Sequence, residues 1–143
     1  MELPGENETK IADNCGVVSD ADPSGRYLLT DGILTAATGR GISEISLSDG
    51  KCTALLPDVY TWTTIFAPDG KSFLYAVSAP DGTIIYRQRW KDGKLVGSPS
   101  VEVKVPINLS GFLGDSYSFS SDLSTMIYAR PDRRADLYLM SLR

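Results

Sequence analysis

Ala67-Pro68-Asp69-Gly70-Lys71-Ser72-Phe73-Leu74-Tyr75 is a tight turn running into an apolar strand, and the chain carries three versions of it. Pro presets φ for the first corner of a turn and Gly supplies positive φ without steric cost, so Pro-Asp-Gly reverses the chain. The aromatic and aliphatic residues that follow suit a buried strand. Upstream, Asp22-Pro23-Ser24-Gly25-Arg26-Tyr27-Leu28-Leu29 repeats the layout with Ser24 for Asp. Downstream, Ser120-Ser121-Asp122-Leu123-Ser124-Thr125-Met126-Ile127-Tyr128 keeps it loosely, with Ser121 and Leu123 where Pro and Gly stand in the other two. Pro23 and Pro68 are 45 residues apart, Pro68 and Ser121 53. A second mark agrees, because Leu47-Ser48-Asp49-Gly50-Lys51 returns as Trp90-Lys91-Asp92-Gly93-Lys94 after 43 residues. A repeat of this length, built of short strands, belongs to propeller blades of four strands each.

Working outward, each unit divides alike. An inner strand enters the turn and an apolar strand leaves it (Tyr27 to Thr30, Phe73 to Val77, Met126 to Ala129). A third follows a variable loop (Ile42 to Leu47, Thr83 to Trp90, Asp136 to Leu142). The fourth, more polar, is Cys52 to Leu56 in the first unit and Val101 to Val105 in the second, and the third unit lacks one. Five Asp-Gly pairs punctuate the chain as hairpin turns do. No segment sustains apolar spacing at i, i+3, i+4 and i+7, so no long helix is expected. The fold expected is all-β, with about three four-stranded antiparallel blades covering 13–57, 58–106 and 107–143, and Glu8 to Ala12 as a spare outer strand. Three blades cannot close a ring, so the expectation is either two chains forming a six-bladed ring, with that strand exchanged, or the last part of a longer propeller, in which Glu8 to Ala12 finishes the preceding blade.

The turn Pro68-Asp69-Gly70-Lys71 with Ser72-Phe73-Leu74-Tyr75, and the closing Ala135-Asp136-Leu137-Tyr138-Leu139-Met140-Ser141, resemble the TolB-like, WD-like propeller repeat. The ending from Tyr128-Ala129-Arg130-Pro131 to Arg143 is also similar to the C-terminus of propellers attached to bacterial serine/threonine kinases and to some winged-helix regulators. That resemblance implies the sensor or interaction end of a bacterial signalling protein, with an extracytoplasmic setting ahead of a cytoplasmic one. No kinase part is present, since there is no His-Arg-Asp loop and no Asp-Phe-Gly.

Composition narrows the chemistry. Of 143 residues, 42% are hydrophobic, and 14 basic residues face 18 acidic ones without a basic run, which argues against nucleic acid. No apolar stretch is long enough to span a membrane, and Met1 to Lys10 does not read as a signal peptide. The chain has no histidine, which excludes a Ser-His-Asp triad, a Cys-His pair and a His-containing zinc site. No catalytic residue, metal or cofactor is therefore expected. The two cysteines, Cys15 and Cys52, are either unrelated small apolar residues or one disulfide. Asp20-Ala21-Asp22-Pro23-Ser24-Gly25 with Asp31 nearly fits a calcium loop, but the internal Pro and the missing flanking helices favour the blade turn.

The expected function is non-catalytic binding of a protein or small ligand, against a self-assembling scaffold or, further off, a propeller-type enzyme. Tyr60, Trp62 and Phe112 fall in or beside connections from one blade's outer strand to the next blade's inner strand, which border the channel mouth. With Arg130, Arg133 and Arg134 they are the candidate binding rim. Four further tyrosines, Tyr75, Tyr86, Tyr128 and Tyr138, are expected to pack within and between blades.

Overall fold

The computed structural model describes residues 9–13, 15–31, 41–61, 63–111, 114–115, 117–130 and 136–142. Among them every regular element is a strand. The first sheet orders β1 (Val17–Ala21), β2 (Tyr27–Asp31), β3 (Ile42–Ser46) and β4 (Cys52–Leu56) side by side, all antiparallel. The second does the same with β5 (Thr64–Phe66), β6 (Ser72–Ala79), β7 (Gly82–Lys91) and β8 (Lys94–Val105). A two-stranded ladder of β9 (Ser110–Gly111) and β10 (Gly114–Asp115) precedes a three-stranded sheet of β11 (Tyr117–Phe119), β12 (Thr125–Arg130) and β13 (Asp136–Ser141). The chain is all-β, with three blade-type antiparallel sheets.

The three quoted turns are one structure. The amide of Asp22, Ala67 or Ser120 donates to the carbonyl of Tyr27, Ser72 or Thr125 at 2.8–2.9 Å, and that of Gly25, Gly70 or Leu123 donates back to the first residue's carbonyl at 2.8–2.9 Å. The residue at the fourth position has φ of 69° at Gly25, 64° at Gly70 and 56° at Leu123. Glycine adopts that backbone freely; Leu123 does so at a cost, and its side chain is buried in the core. An aspartate anchors each loop. Asp69 accepts the Lys71 amide at 2.9 Å, and Asp122 accepts the Ser124 amide at 3.0 Å and the hydroxyls of Ser120 and Ser124. In the first turn the anchor is Asp22, which accepts the amides of Ser24, Arg26 and Tyr27 and the Ser24 hydroxyl.

Adjacent residues of β6 explain the stacking of sheets. Phe73 and Leu74 point to opposite faces and both are buried, Phe73 against Leu29, Ile42, Phe66 and Trp90, Leu74 against Ile85, Leu109, Met126 and Tyr128. The middle blade is covered on both sides, which is why β6 reads as a nearly continuous apolar run. Cross-strand tyrosine pairs brace it and its neighbour: Tyr75 stacks on Tyr86 and Tyr128 on Tyr138, each with centroids 5.4 Å apart. In β12, Met126 and Tyr128 are buried while Ile127 is 43% exposed, and its cross-strand partner Leu139 is 69% exposed. The face of the third sheet away from the second is open.

Two details differ from the expected layout. The outer strand of the second unit begins at Lys94 rather than Val101, because Asp92 (φ 46°) and Gly93 (φ 78°) form a two-residue hairpin that pairs Lys91 with Lys94 at once. Glu8 lies outside the described residues, and Thr9 to Ala12 pair with no strand among the described residues. Instead the Ile11 carbonyl packs on Gly50, where any Cβ would overlap it. Thr30, Ser43, Ile45 and Cys52 share the face of the first blade turned away from the second, and Cys15 is buried beside it.

Candidate functional site

The Pro-Asp-Gly turns of the first two blades lie side by side, with the Pro23 ring 3.5 Å from where a Cβ on Gly70 would stand. Where these turns meet the β7–β8 hairpin, a cleft of about 960 Å³ opens, lined among others by Arg26, Lys71, Arg87, Arg89, Trp90 and Lys91. Alternation along β7 sends Arg87 and Arg89 to one side of the sheet and Trp90 to the other, so the cleft runs over the end of the second blade.

Its charges fall into two groups. Arg87 makes a two-pronged ion pair with Glu102 (Nε to Oε2 and Nη2 to Oε1, both 2.9 Å), and its Nη1 donates to Ser72 Oγ at 3.1 Å. The Glu102 carboxylate raises the Arg87 guanidinium above its ordinary value and fixes its orientation. Arg26 lies over the Tyr27 ring and pairs with Asp92 of the next blade at 3.0 Å. Asp22 is spent on its turn: burial pushes its carboxyl up, but the bonds from Ser24, Tyr27 and Arg26 together outweigh this and hold it below the ordinary value. Lys71, Arg89 and Lys91 have no ion-pair partner among the described residues. The lining carries five cationic and three acidic side chains, in a chain whose net charge is −4.

The seam beneath is tied by main-chain and side-chain bonds. Asp20 Oδ2 accepts the buried Phe66 amide at 2.7 Å, joining inner strand β1 to β5, and the Ser19 and Thr64 hydroxyls bond each other. Asp20 and Asp22 therefore point their carboxylates into backbone bonds, as the turn predicts. Glu44, buried opposite the β7–β8 hairpin, has Oε2 without a hydrogen-bond partner among the described residues; burial raises its carboxyl above the ordinary value, with Lys51 opposing.

Of the rim residues expected from sequence, the two described ones, Tyr60 and Arg130, lie away from this cleft. Tyr60 is in the β4–β5 connection at the opposite end of the strands, 36% exposed. Arg130 ends β12, its backbone paired with Asp136. Trp62, Phe112, Arg133 and Arg134 lie outside the described residues. On that side Thr83 donates to the Ile107 carbonyl at 3.0 Å and accepts the Leu109 amide at 2.9 Å, bolting the β8–β9 connection to β7. Sequence reasoning missed the cleft, although Arg87-Gln88-Arg89-Trp90-Lys91 carries its signal as cations at strand spacing around an aromatic.

No family model matches the chain, and no curated protein matches its sequence. Among solved structures it is similar to the crystal structure of TolB from Acinetobacter baumannii, with a TM-score of 0.53, 17% identity and 94% of this chain covered. The chain spans 31% of the length of that TolB chain. The likeness is one of fold and supports propeller-type blades. No helix among the described residues is long and apolar enough to cross a membrane.

Proposed function

We propose that the chain is a non-catalytic binding module whose ligand, a protein segment or a small molecule, carries negative charge and sits in the cleft over the end of the second blade. The observation behind this is the set Lys71, Arg89 and Lys91, without ion-pair partners among the described residues, beside an Arg87 held rigid by Glu102. Gathering like charges in one cleft has a cost that a bound anion offsets. Calorimetric titration with a glutamate-rich peptide, and separately with inorganic phosphate, tests it. Binding should weaken as salt rises and vanish in Arg89→Glu/Lys91→Glu; binding that survives both changes, or none at all, refutes the assignment.

Two finer readings are proposals as well. The interaction end of a bacterial signalling protein such as a serine/threonine kinase rests on the ending from Tyr128 to Arg143, and the rim of Tyr60, Trp62, Phe112, Arg130, Arg133 and Arg134 on position in the blades. Self-association is favoured by a specific observation, the open face bearing Ile127 and Leu139, since the equivalent Leu29 and Leu74 of the other blades are buried by the next sheet. Light scattering on Leu139→Glu checks it: a loss of mass relative to the parent supports association through this face, and a parent that is monomeric at micromolar concentration opposes it.

A further inference from the structure

We infer that Cys15 and Cys52 are the two halves of a reversible disulfide clasp that holds the segment bearing Ile11 and Cys15 over the outer face of the first blade. In sequence the residues are 37 positions apart, and in the sheet they belong to opposite edges: Cys15 leads into β1, and Cys52 opens β4. Three strand spacings of about 4.8 Å separate those edges. A side chain placed before β1 reaches β4 only if its segment crosses the sheet face. It does so here. The Ile11 carbonyl abuts Gly50 in the β3–β4 turn, Cys15 is buried at 6% exposure with its thiol donating to the Asp13 carbonyl at 3.3 Å, and the free thiols of Cys15 and Cys52 lie near enough to interact. Cys52 pairs with Ile45 and its thiol also reaches Ser43, which places the approach on the face turned away from the second blade. They are the only two cysteines in the chain, so no other intramolecular partner competes.

The chemistry is thiol–disulfide exchange with a small-molecule disulfide such as oxidised glutathione. One protein thiolate attacks it and releases one glutathione thiol; the second protein thiolate then attacks the mixed disulfide and releases the other. Two thiol protons leave, one S–S bond forms in the protein, and the oxidant takes up the two electrons. Desolvation of its thiol, and next the neighbouring Cys15, push Cys52 up to about 12 although the residue is exposed overall, which slows exchange at neutral pH. Closing the clasp fixes the crossing segment over Thr30, Ser43 and Ile45, on the blade surface that in the two interior seams is occupied by a neighbouring sheet. With both thiols free, as in this structure, packing alone holds the segment there.

The test uses the full chain equilibrated in glutathione mixtures of increasing oxidised fraction, quenched in acid, alkylated under denaturing conditions and weighed intact. A monomer lighter by two hydrogens, with no alkylated thiol, is the expected oxidised product. Brief trypsin treatment should then cut after Lys10 several-fold more slowly in the oxidised than in the reduced chain, and Cys15→Ser and Cys52→Ser should each abolish the difference. Two persistent thiols, glutathione adducts alone or only intermolecular dimers overturn the pairing. A disulfide that forms without altering cleavage at Lys10 overturns the clasp over the blade face. The mass measurement needs only the parent chain, so misfolding of a serine variant leaves the pairing testable.

Discussion

Replacing Gly70 by Ala should destabilise the chain by about 1–1.5 kcal/mol, through the backbone alone. Gly70 has φ of 64°, where an L side chain is strained, yet the space for a methyl group exists: the nearest heavy atoms are Pro23 Cδ at 3.5 Å and Cγ at 3.7 Å, ordinary contact distances. Gly82, in the β6–β7 turn, is the matched contrast. It has φ of 148°, and a Cβ there would overlap the Val105 carbonyl oxygen and stand 3.0 Å from the Ile107 amide, both main-chain atoms of a bolted connection. Gly82→Ala must therefore move backbone, and should cost about 3 kcal/mol or more. With an unfolding entropy of about 0.3 kcal/mol/K for a chain of this size, the two become losses in Tm of about 4 °C and 10 °C. Calorimetry at one scan rate, with urea denaturation in parallel, measures both. If the two variants melt together, or Gly70→Ala melts with the parent, the separation of backbone strain from steric exclusion is wrong.

Leu123→Gly should destabilise by about 2 kcal/mol despite restoring the residue the other turns use, because the lost burial between the second and third blades exceeds the roughly 1 kcal/mol of relieved strain; a stabilised variant in urea refutes this. Asp20→Ala should cost about 2 kcal/mol by stranding the buried Phe66 amide, and Asp20→Asn, which keeps an acceptor oxygen, should cost less by the same denaturation assay. Glu44 has a raised folded-state pKa, so its favourable contribution is full below the unfolded value of about 4.5 and is lost as pH rises through the folded one; Glu44→Gln should therefore gain stability on the parent at pH 7 and not at pH 4. For Asp122 the sign is opposite: its carboxyl is held at about 2 by bonds from Ser120 and Ser124, so its contribution is present above pH 4 and lost as pH falls towards 2, and Asp122→Asn should flatten the acid limb of the stability–pH curve.

The strands and turns were legible because their causes are local. Pro68, Asp69 and Gly70 specify a reversal within six residues, and the same hydrogen bonds recur at Asp22 and Ser120 even where Ser121 and Leu123 replace Pro and Gly. The period then follows from counting. What lies between the blades was not legible, since it depends on which residues of separate units meet. The cleft gathers Arg26, Lys71 and Arg89 from three segments, and whether a cation there finds a partner depends on Glu102 and Asp92 arriving from other strands. Ile127 and Leu74 occupy equivalent positions in apolar runs, yet only stacking shows that Leu74 is covered and Ile127 is open. For Cys15 and Cys52 sequence left two readings open, unrelated residues or one disulfide, and they approach because the chain before β1 crosses the sheet face rather than joining its edge. The sequence by itself determined the repeating turn-and-strand unit, through backbone chemistry confined to a few residues; the cleft, the open face and the approach of the thiols were decided by tertiary packing, which joins side chains tens of residues apart.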